Sequence, residues 1–309
     1  MKIYFLGAGA LGCAIGGTLA AAGSDVTLIA RDPNHVDTIN RAGLGMTDGA
    51  GERVVRVKAA THCAGLEPAD LVVVLVKSFH TREAMLSARP VVGEQTAVLS
   101  LQNGLGHEDI LADVVGAARV LAGKTYVGGV LLGPGRIMAS TQGKRTYIGE
   151  LDGSISQRVT AIADEFERAG LPTTVSDNIV GTMWDKLLIN VATGALSGIT
   201  GLPYGGLYAV PEIEACALAA VAEAMAVADR AGVRLSIRQP HDAWALAADG
   251  LPAEFRTSML QSIEKGSVTE IDFINGSVVR AGARHKVPTP VNQALVAAIK
   301  GIEYRMAQR

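Results

Sequence analysis

The chain has 309 residues, 49% of them hydrophobic and 19% charged, with a net charge of −2. That length supports two domains with separate cores. The near-neutral balance provides no broad basic field for nucleic acid or anionic lipid. Cys13, Cys63 and Cys216 are odd in number, far apart and outside any CxxC, so they read as free thiols of a reducing compartment. The six histidines are scattered without ligand spacing, and no metal site is expected. No apolar run reaches membrane-spanning length. With a glycine motif beginning at residue 7, no secretory leader is expected, and the expected location is cytoplasmic.

Lys2–Leu6 is a short apolar strand that runs into Gly7-Ala8-Gly9-Ala10-Leu11-Gly12 and then an Ala- and Gly-rich helix from Cys13 to Ala22. In this strand–turn–helix setting the glycines point to dinucleotide binding. Gly7 permits the tight turn, Gly9 lets a pyrophosphate approach the backbone, and Gly12 lets the helix pack on the sheet. The free N–H groups at the helix start would face the phosphates.

Asp25–Ala30 is a second strand, Asn34–Ala42 reads as helix, and Arg53–Lys58 alternates as a strand does. Asp70–Val76 is a short β-branched run, as expected of an inner parallel strand. Thr96–Leu101 is a further strand that enters Gln102-Asn103-Gly104. Beyond Gly123 the pattern is Gly-rich and β-like up to Gly149, and Ser154–Ala169 reads as helix. From about Asn178 the signals are helical: Val180–Gly194, Pro211–Ala231, a stretch around Asp242–Ala248, Glu254–Lys265, Thr269–Ala281 and Asn292–Met306. A βα half followed by an all-α half predicts a Rossmann-type α/β N-terminal domain over 1–176 and an all-α C-terminal domain over 177–309 for substrate and dimerisation.

The candidate site residues lie at strand ends and on two helical segments. Arg31 follows the second strand, where a guanidinium suits the 2′-phosphate of NADP; Asp32 beside it could instead take the ribose of NAD. Lys77 and Asn103 end the next apolar strands, at the edge expected to border the ligand crevice. Lys77 could equally be a surface lysine, and Asn103-Gly104 a plain turn. In Trp184-Asp185-Lys186-Leu187-Leu188-Ile189-Asn190, Lys186 and Asn190 share one helical face. Desolvation there would lower the lysine pKa toward a general-acid range, whereas a snorkelling lysine would stay in water. Thr269 with Asp272 matches a capping box, which would put Glu270 in the first helical turn.

Taken together, the GAGALG loop, Arg31, Lys77, the QNG turn, the W-x-K-L-x-x-N helix and Ser258-Met259 followed by TEID-x-ING resemble the ketopantoate reductase (2-dehydropantoate 2-reductase) family over almost the whole chain. The resemblance implies an NADPH-dependent oxidoreductase of pantothenate biosynthesis that reduces the C2 carbonyl of a 2-oxo acid. It implies Lys186 as proton donor and Glu270 as its acidic partner. Asn103, Asn190 and Ser258 would bind substrate, and Gly7, Ala8, Gly9, Ala10, Leu11, Gly12, Arg31, Lys77 and Asn103 would bind NADP. A homodimer is a further expectation.

Four positions depart from the family pattern. Gly194 stands where an asparagine is usual, further asparagines are replaced near Tyr204 and at about Phe255, and Ser262 stands where an acidic residue is often found. A pocket short of hydrogen-bond donors discriminates poorly for a hydroxylated substrate. Bulkier or aromatic 2-oxo acids, as for a D-2-hydroxyacid dehydrogenase of the same family, are therefore an alternative. Hydroxyisobutyrate-type dehydrogenases share a Lys-x-x-x-Asn helix, but TEID, ING and the GAGALG spelling weigh against them. A non-catalytic NADP-binding sensor is the reading from another class, and the presence of both Lys186 and Glu270 argues against it.

Overall fold

In the computed structural model, which describes residues 1–49 and 51–308, the aromatic and β-branched run Lys2–Leu6 forms strand β1. The other strands are β2 (Asp25–Ile29), β3 (Leu44–Asp48), β4 (Gly51–Val55), β5 (Lys58–Ala60), β6 (Leu71–Val74), β7 (Ala97–Ser100), β8 (Val120–Thr125), β9 (Gly128–Gly133), β10 (Arg136–Ser140), β11 (Thr146–Glu150) and β12 (Thr173–Val175). Helices α1 (Ala10–Ala21), α2 (Pro33–Ala42), α3 (Thr81–Ala88), α4 (His107–Val115) and α5 (Gln157–Arg168) are interleaved with them. The chain divides into two units. The first contains Met1–Gln102 and His107–Ile179; the second contains Asn103–Gly106 and Val180–Arg309.

The first unit is a Rossmann-type α/β structure. Its main sheet has eight strands in the order β12-β11-β8-β7-β6-β1-β2-β5, parallel except for the β8–β11 pair. Ile3 registers with Val26 on one side and Leu71 on the other. Every residue of β6 is buried because helices cover both faces, which is why its sequence is continuously apolar. Phe5, Leu28 and Leu99 pack on one face, and Tyr4, Val72 and Val98 on the other. Full burial of each such side chain stabilises by roughly 1.5–3 kcal/mol. Strand order reverses direction between β1 and β6, so the turns after these two strands border the crevice where this architecture binds ligands.

A second sheet, in the order β4-β3-β10-β9, packs on α1, which is thus covered on two sides. A Cβ on Gly16 would meet Leu28 and Phe5 of the main sheet, and one on Gly17 would meet Met46 and Leu44 of the small sheet.

The second unit is helical: α6 (Ile179–Thr200), α7 (Tyr204–Leu207), α8 (Pro211–Arg230), α9 (Pro240–Ala248), α10 (Ser258–Glu264), α11 (Asn275–His285) and α12 (Pro290–Ala307). Leu187, Leu188 and Val191 of α6 share a core with Ala217, Ala220 and Ala224 of α8, small side chains that permit close helix approach. Among the described residues no helix is long and apolar enough to cross a membrane, and no cluster of His, Cys, Asp and Glu could hold a metal ion.

Two helix expectations need correction. Glu254–Lys265 is helical only over Ser258–Glu264, because Thr257 caps it by accepting the Leu260 N–H at 3.2 Å. The helix expected from Thr269 begins at Asn275. The Thr269 hydroxyl accepts the Ile271 N–H in a local turn, and Asp272 pairs with Lys300 instead of closing a capping box. Only a 3₁₀ turn, Ile271–Phe273, forms there. Glu270 therefore precedes that turn and does not sit at the start of an α-helix.

Candidate active site

The first unit supplies the crevice at the ends of β1, β2 and β6. Gly7 sits at φ +104°, and a Cβ on it would lie 2.6 Å from the Val76 nitrogen. A side chain there would thus be both strained and blocked. A Cβ on Gly12 would lie 2.1 Å from the Gly7 carbonyl oxygen, so this glycine lets α1 close against its own loop. The tight contact with the main sheet, expected at Gly12, falls at Gly16. Gly9 is exposed, and a Cβ on it would meet nothing within 4 Å. Ala10 and Leu11 are half-buried, and Ala8 is buried with its N–H on the Ile29 carbonyl at 3.0 Å. The first turn of α1 has neither an acidic residue nor a side-chain cap. Its N–H groups and positive end therefore suit an anion, and the open side of Gly9 fits the close approach of a pyrophosphate.

Arg31 is exposed just beyond β2, with Nη2 donating toward His80 Nε2 at 3.1 Å. His80 Nδ1 in turn lies 3.4 Å from Glu83 Oε2. The Asp32 carboxylate caps α2 by accepting the Asn34 N–H at 3.0 Å. Asp32 thus has a structural task of its own beside the guanidinium. Lys77 is exposed in the turn after β6. That turn is held by buried Gln102, whose Nε2 donates to the Val76 carbonyl and to Thr81 Oγ1, both at 2.8 Å. Sequence reasoning missed Gln102 and His80. A cue existed for each, since Gln102 ends a strand run and His80 lies three residues past Lys77.

The second unit carries the polar groups expected around a substrate. Half-buried Lys186 on α6 donates from Nζ to Asn103 Oδ1 at 2.8 Å, across 83 positions of sequence. Asn103 opens a turn, residues 103–106, that is seated on the Glu270–Ile274 segment. The Leu105 N–H donates to the Phe273 carbonyl at 2.9 Å, and a Cβ on Gly104 (φ +94°) would lie 2.2 Å from that oxygen. The Glu270 carbonyl accepts the Phe273 N–H at 2.9 Å, which folds the segment into its short turn. One turn of chain thus links Lys186, Asn103 and the stretch that begins at Glu270. Asp185 fixes the rotation of α6, its carboxylate accepting the Ser236 N–H at 3.0 Å, the Ser236 hydroxyl at 2.6 Å and the Ile237 N–H at 3.2 Å.

Asn190 is half-buried one helical turn beyond Lys186, and Gly194 follows one turn later. A Cβ on Gly194 would lie 3.7 Å from Met259 Cε, an ordinary contact, so a side chain there would fit. Ser258 is exposed at the first position of α10. Ser262 is buried, and its hydroxyl donates back to the Ser258 carbonyl at 3.0 Å. Tyr204 packs its ring 5.2 Å from Phe255 and 5.9 Å from Tyr208, and Tyr208 stacks on Trp244 at 4.0 Å. Burial pushes the Tyr204 hydroxyl above its ordinary pKa. Two of the three positions that depart from the family's asparagines, Tyr204 and Phe255, thus form one end of an aromatic row.

The family model described as ketopantoate reductase PanE/ApbA matches residues 3–153, and its C-terminal counterpart matches residues 178–303. The 2-dehydropantoate 2-reductase of Pyrococcus horikoshii is 36% identical over 303 residues, covering 98% of each chain. That of Halobacterium salinarum is 34% identical over 313 residues, covering 100% of this chain and 99% of its own. Among solved structures, a PanE/ApbA family ketopantoate reductase from Ralstonia eutropha superposes with a TM-score of 0.91 at 36% identity, covering 99% of this chain and 100% of that one. A D-mandelate dehydrogenase, solved with NADH and anilino(oxo)acetate, superposes with a TM-score of 0.90 at 25% identity over 99% and 100% of the two chains. A glycine loop opening a Rossmann-type unit, a lysine helix in a helical unit, and both family models in register with them lead to one conclusion: the chain belongs to the ketopantoate reductase family, whose members are nicotinamide-dependent oxidoreductases.

Proposed function

We propose that this protein reduces the C2 carbonyl of 2-dehydropantoate to pantoate with NADPH, with Lys186 as the proton donor. The observation that carries the reading is the Lys186–Asn103 hydrogen bond, which fixes an ammonium group on a half-buried helix face. When bound, the reduced nicotinamide supplies a hydride. As C2 accepts it, negative charge grows on the carbonyl oxygen. A cationic lysine stabilises that charge and delivers its proton there, which completes the alcohol. Asn103 accepts one of the three ammonium N–H groups and so sets the direction of the lysine stem. Glu270 offsets the lysine's charge and keeps it oriented. Asn190 and Ser258 are the polar contacts for substrate, with Ser258 taking the carboxylate.

On the cofactor side, Gly7, Ala8, Gly9, Ala10, Leu11 and Gly12 form the pyrophosphate cradle. Arg31 would hold the 2′-phosphate of NADP, whose bidentate geometry suits a guanidinium. Lys77 adds a second cation at the end of β6. The involvement of Asp32 in capping α2 favours NADP over NAD, because its carboxylate already accepts a backbone N–H.

A second reading has its own support. The row Phe255, Tyr204, Tyr208 and Trp244 and the missing side chain at Gly194 favour a bulkier or aromatic 2-oxo acid. Steady-state kinetics with NADPH and NADH against 2-dehydropantoate, 2-oxoisovalerate and phenylglyoxylate separate the two. The first reading expects the highest kcat/KM for 2-dehydropantoate with NADPH. A clear preference for phenylglyoxylate would put the second in its place, and tight NADPH binding without turnover on any of the three would favour a sensor.

A further inference from the structure

Two side chains associated with nucleophilic chemistry lie buried behind the glycine loop. Cys13 in α1 is 0% exposed and His35 in α2 is 3% exposed, and Cys13 Sγ lies 3.5 Å from His35 Nε2. Their surroundings do not suit a catalytic dyad. His35 Nδ1 accepts the Gly135 N–H at 3.0 Å, which leaves the ring proton on Nε2, toward the sulfur. The thiol in turn donates to the Ala8 carbonyl at 3.3 Å. Burial pushes the thiol up to about 12 and draws the imidazole below its ordinary value, so both groups are neutral. A thiolate nucleophile is absent under these conditions. What remains is a chain of neutral hydrogen bonds from the β9–β10 hairpin through α2 and α1 to the glycine loop.

We propose that His35 and Cys13 are positioning residues for the cofactor's pyrophosphate. The reason is peptide planarity. The Ala8 carbonyl and the Gly9 N–H belong to one planar trans unit and point in opposite directions. A carbonyl drawn inward by Cys13 therefore turns the N–H of exposed Gly9 the opposite way. The Ala8 N–H is already held by the Ile29 carbonyl, so the residue is pinned at both ends. The hairpin turn that starts this chain is fixed as well, since a Cβ on Gly135 would lie 2.6 Å from Thr38 Cγ2 of α2. Neither side chain reaches the nucleotide; each acts through the loop that does. The pyrophosphate is common to NADPH and NADH, so loss of this chain should weaken both alike, in contrast to loss of Arg31.

The inference rests on the reading of residues 7–12 as a dinucleotide site, and the test keeps the two apart. Dissociation constants for NADPH and NADH are measured by fluorescence titration of the full chain and its variants, with kcat at saturating cofactor and Tm recorded beside them. His35→Leu and Cys13→Ala should each weaken both cofactors by the same factor, about three- to tenfold for one lost hydrogen bond. The loss should fall on Kd and KM, not on kcat. His35→Gln and Cys13→Ser, which keep a donor and an acceptor, should restore most of the affinity. Should His35→Leu fold poorly, the Cys13→Ala and Cys13→Ser pair still decides. Variants with a lowered Tm but unchanged Kd for both cofactors would overturn the positioning role alone. A wild-type chain that binds neither cofactor would overturn the reductase reading, and this inference with it.

Discussion

Lys186 shows how much chemistry one residue can announce and how little geometry. Its spacing from Asn190 on a helix face is plain in the sequence, yet its ammonium group donates to Asn103, in a turn 83 positions earlier. No local pattern encodes that meeting. Arg31 was singled out in the opposite way, from its place just beyond β2 alone and without any distant contact. Asp32 beside it, for which the sequence offered a ribose contact, caps α2 by accepting the Asn34 N–H. Replacing Arg31 with Ala should raise the Kd for NADPH by about tenfold or more, as expected for loss of a bidentate charge-assisted contact, and change that for NADH little. Isothermal titration with both nucleotides checks this, and equal weakening would remove Arg31 from the 2′-phosphate. His80 went unnoticed for a different reason: an exposed histidine carries no periodic signal, and only its 3.1 Å approach to Arg31 singles it out.

Among the elements, the parallel sheet was the most legible part. β6 is buried at every residue and wholly apolar, and β1, β2 and β7 are nearly so, with Lys2 and Asp25 at strand starts and Thr27 and Ser100 the buried polar residues. The smaller sheet was legible only in part: strand signals fall on β4 and on the stretch of β9 and β10, but β3 and β10 pair in parallel across some ninety intervening residues, which no local pattern encodes. The segment at Thr269 misled for a physical reason. A Ser/Thr followed by an acidic residue caps a helix only when no nearer use exists, and here Thr269 bonds Ile271 and Glu303 while Asp272 bonds Lys300. The turn 103–106 is the element on which the candidate site hangs. Gly104→Ala places a Cβ against the Phe273 oxygen at a positive φ, which should cost about 1–3 kcal/mol in urea denaturation. It should also lower kcat by displacing Asn103. Unchanged stability together with unchanged kcat would show that the turn tolerates the clash and does not set the lysine.

At the scale of the whole molecule, acid should be the main destabilising condition. His35 is held neutral by burial, with its pKa below the ordinary 6.5. The unfolded chain therefore takes up that proton first as pH falls below 6.5, and stability declines there. Glu150 and Glu165 add a second phase. Burial opposes their ionisation, but Arg158 and Ser156 for Glu150, and Ser24 and Arg168 for Glu165, outweigh it and hold both below the ordinary 4.5. Their contribution is complete above 4.5 and is lost as pH falls through their lowered values. Urea midpoints measured across this range should fall in two steps, and His35→Gln should remove the upper one. A flat profile down to the carboxylate range would contradict the buried neutral imidazole.

The proposed reduction depends on a single ammonium group, and Lys186→Ala tests it most directly. With NADPH and 2-dehydropantoate at saturation, kcat should drop by about a hundredfold or more while the Kd for NADPH stays near that of the unaltered chain. A variant that turns over at close to the normal rate would mean that the proton comes from elsewhere, and Lys186 would lose its place in the chemistry.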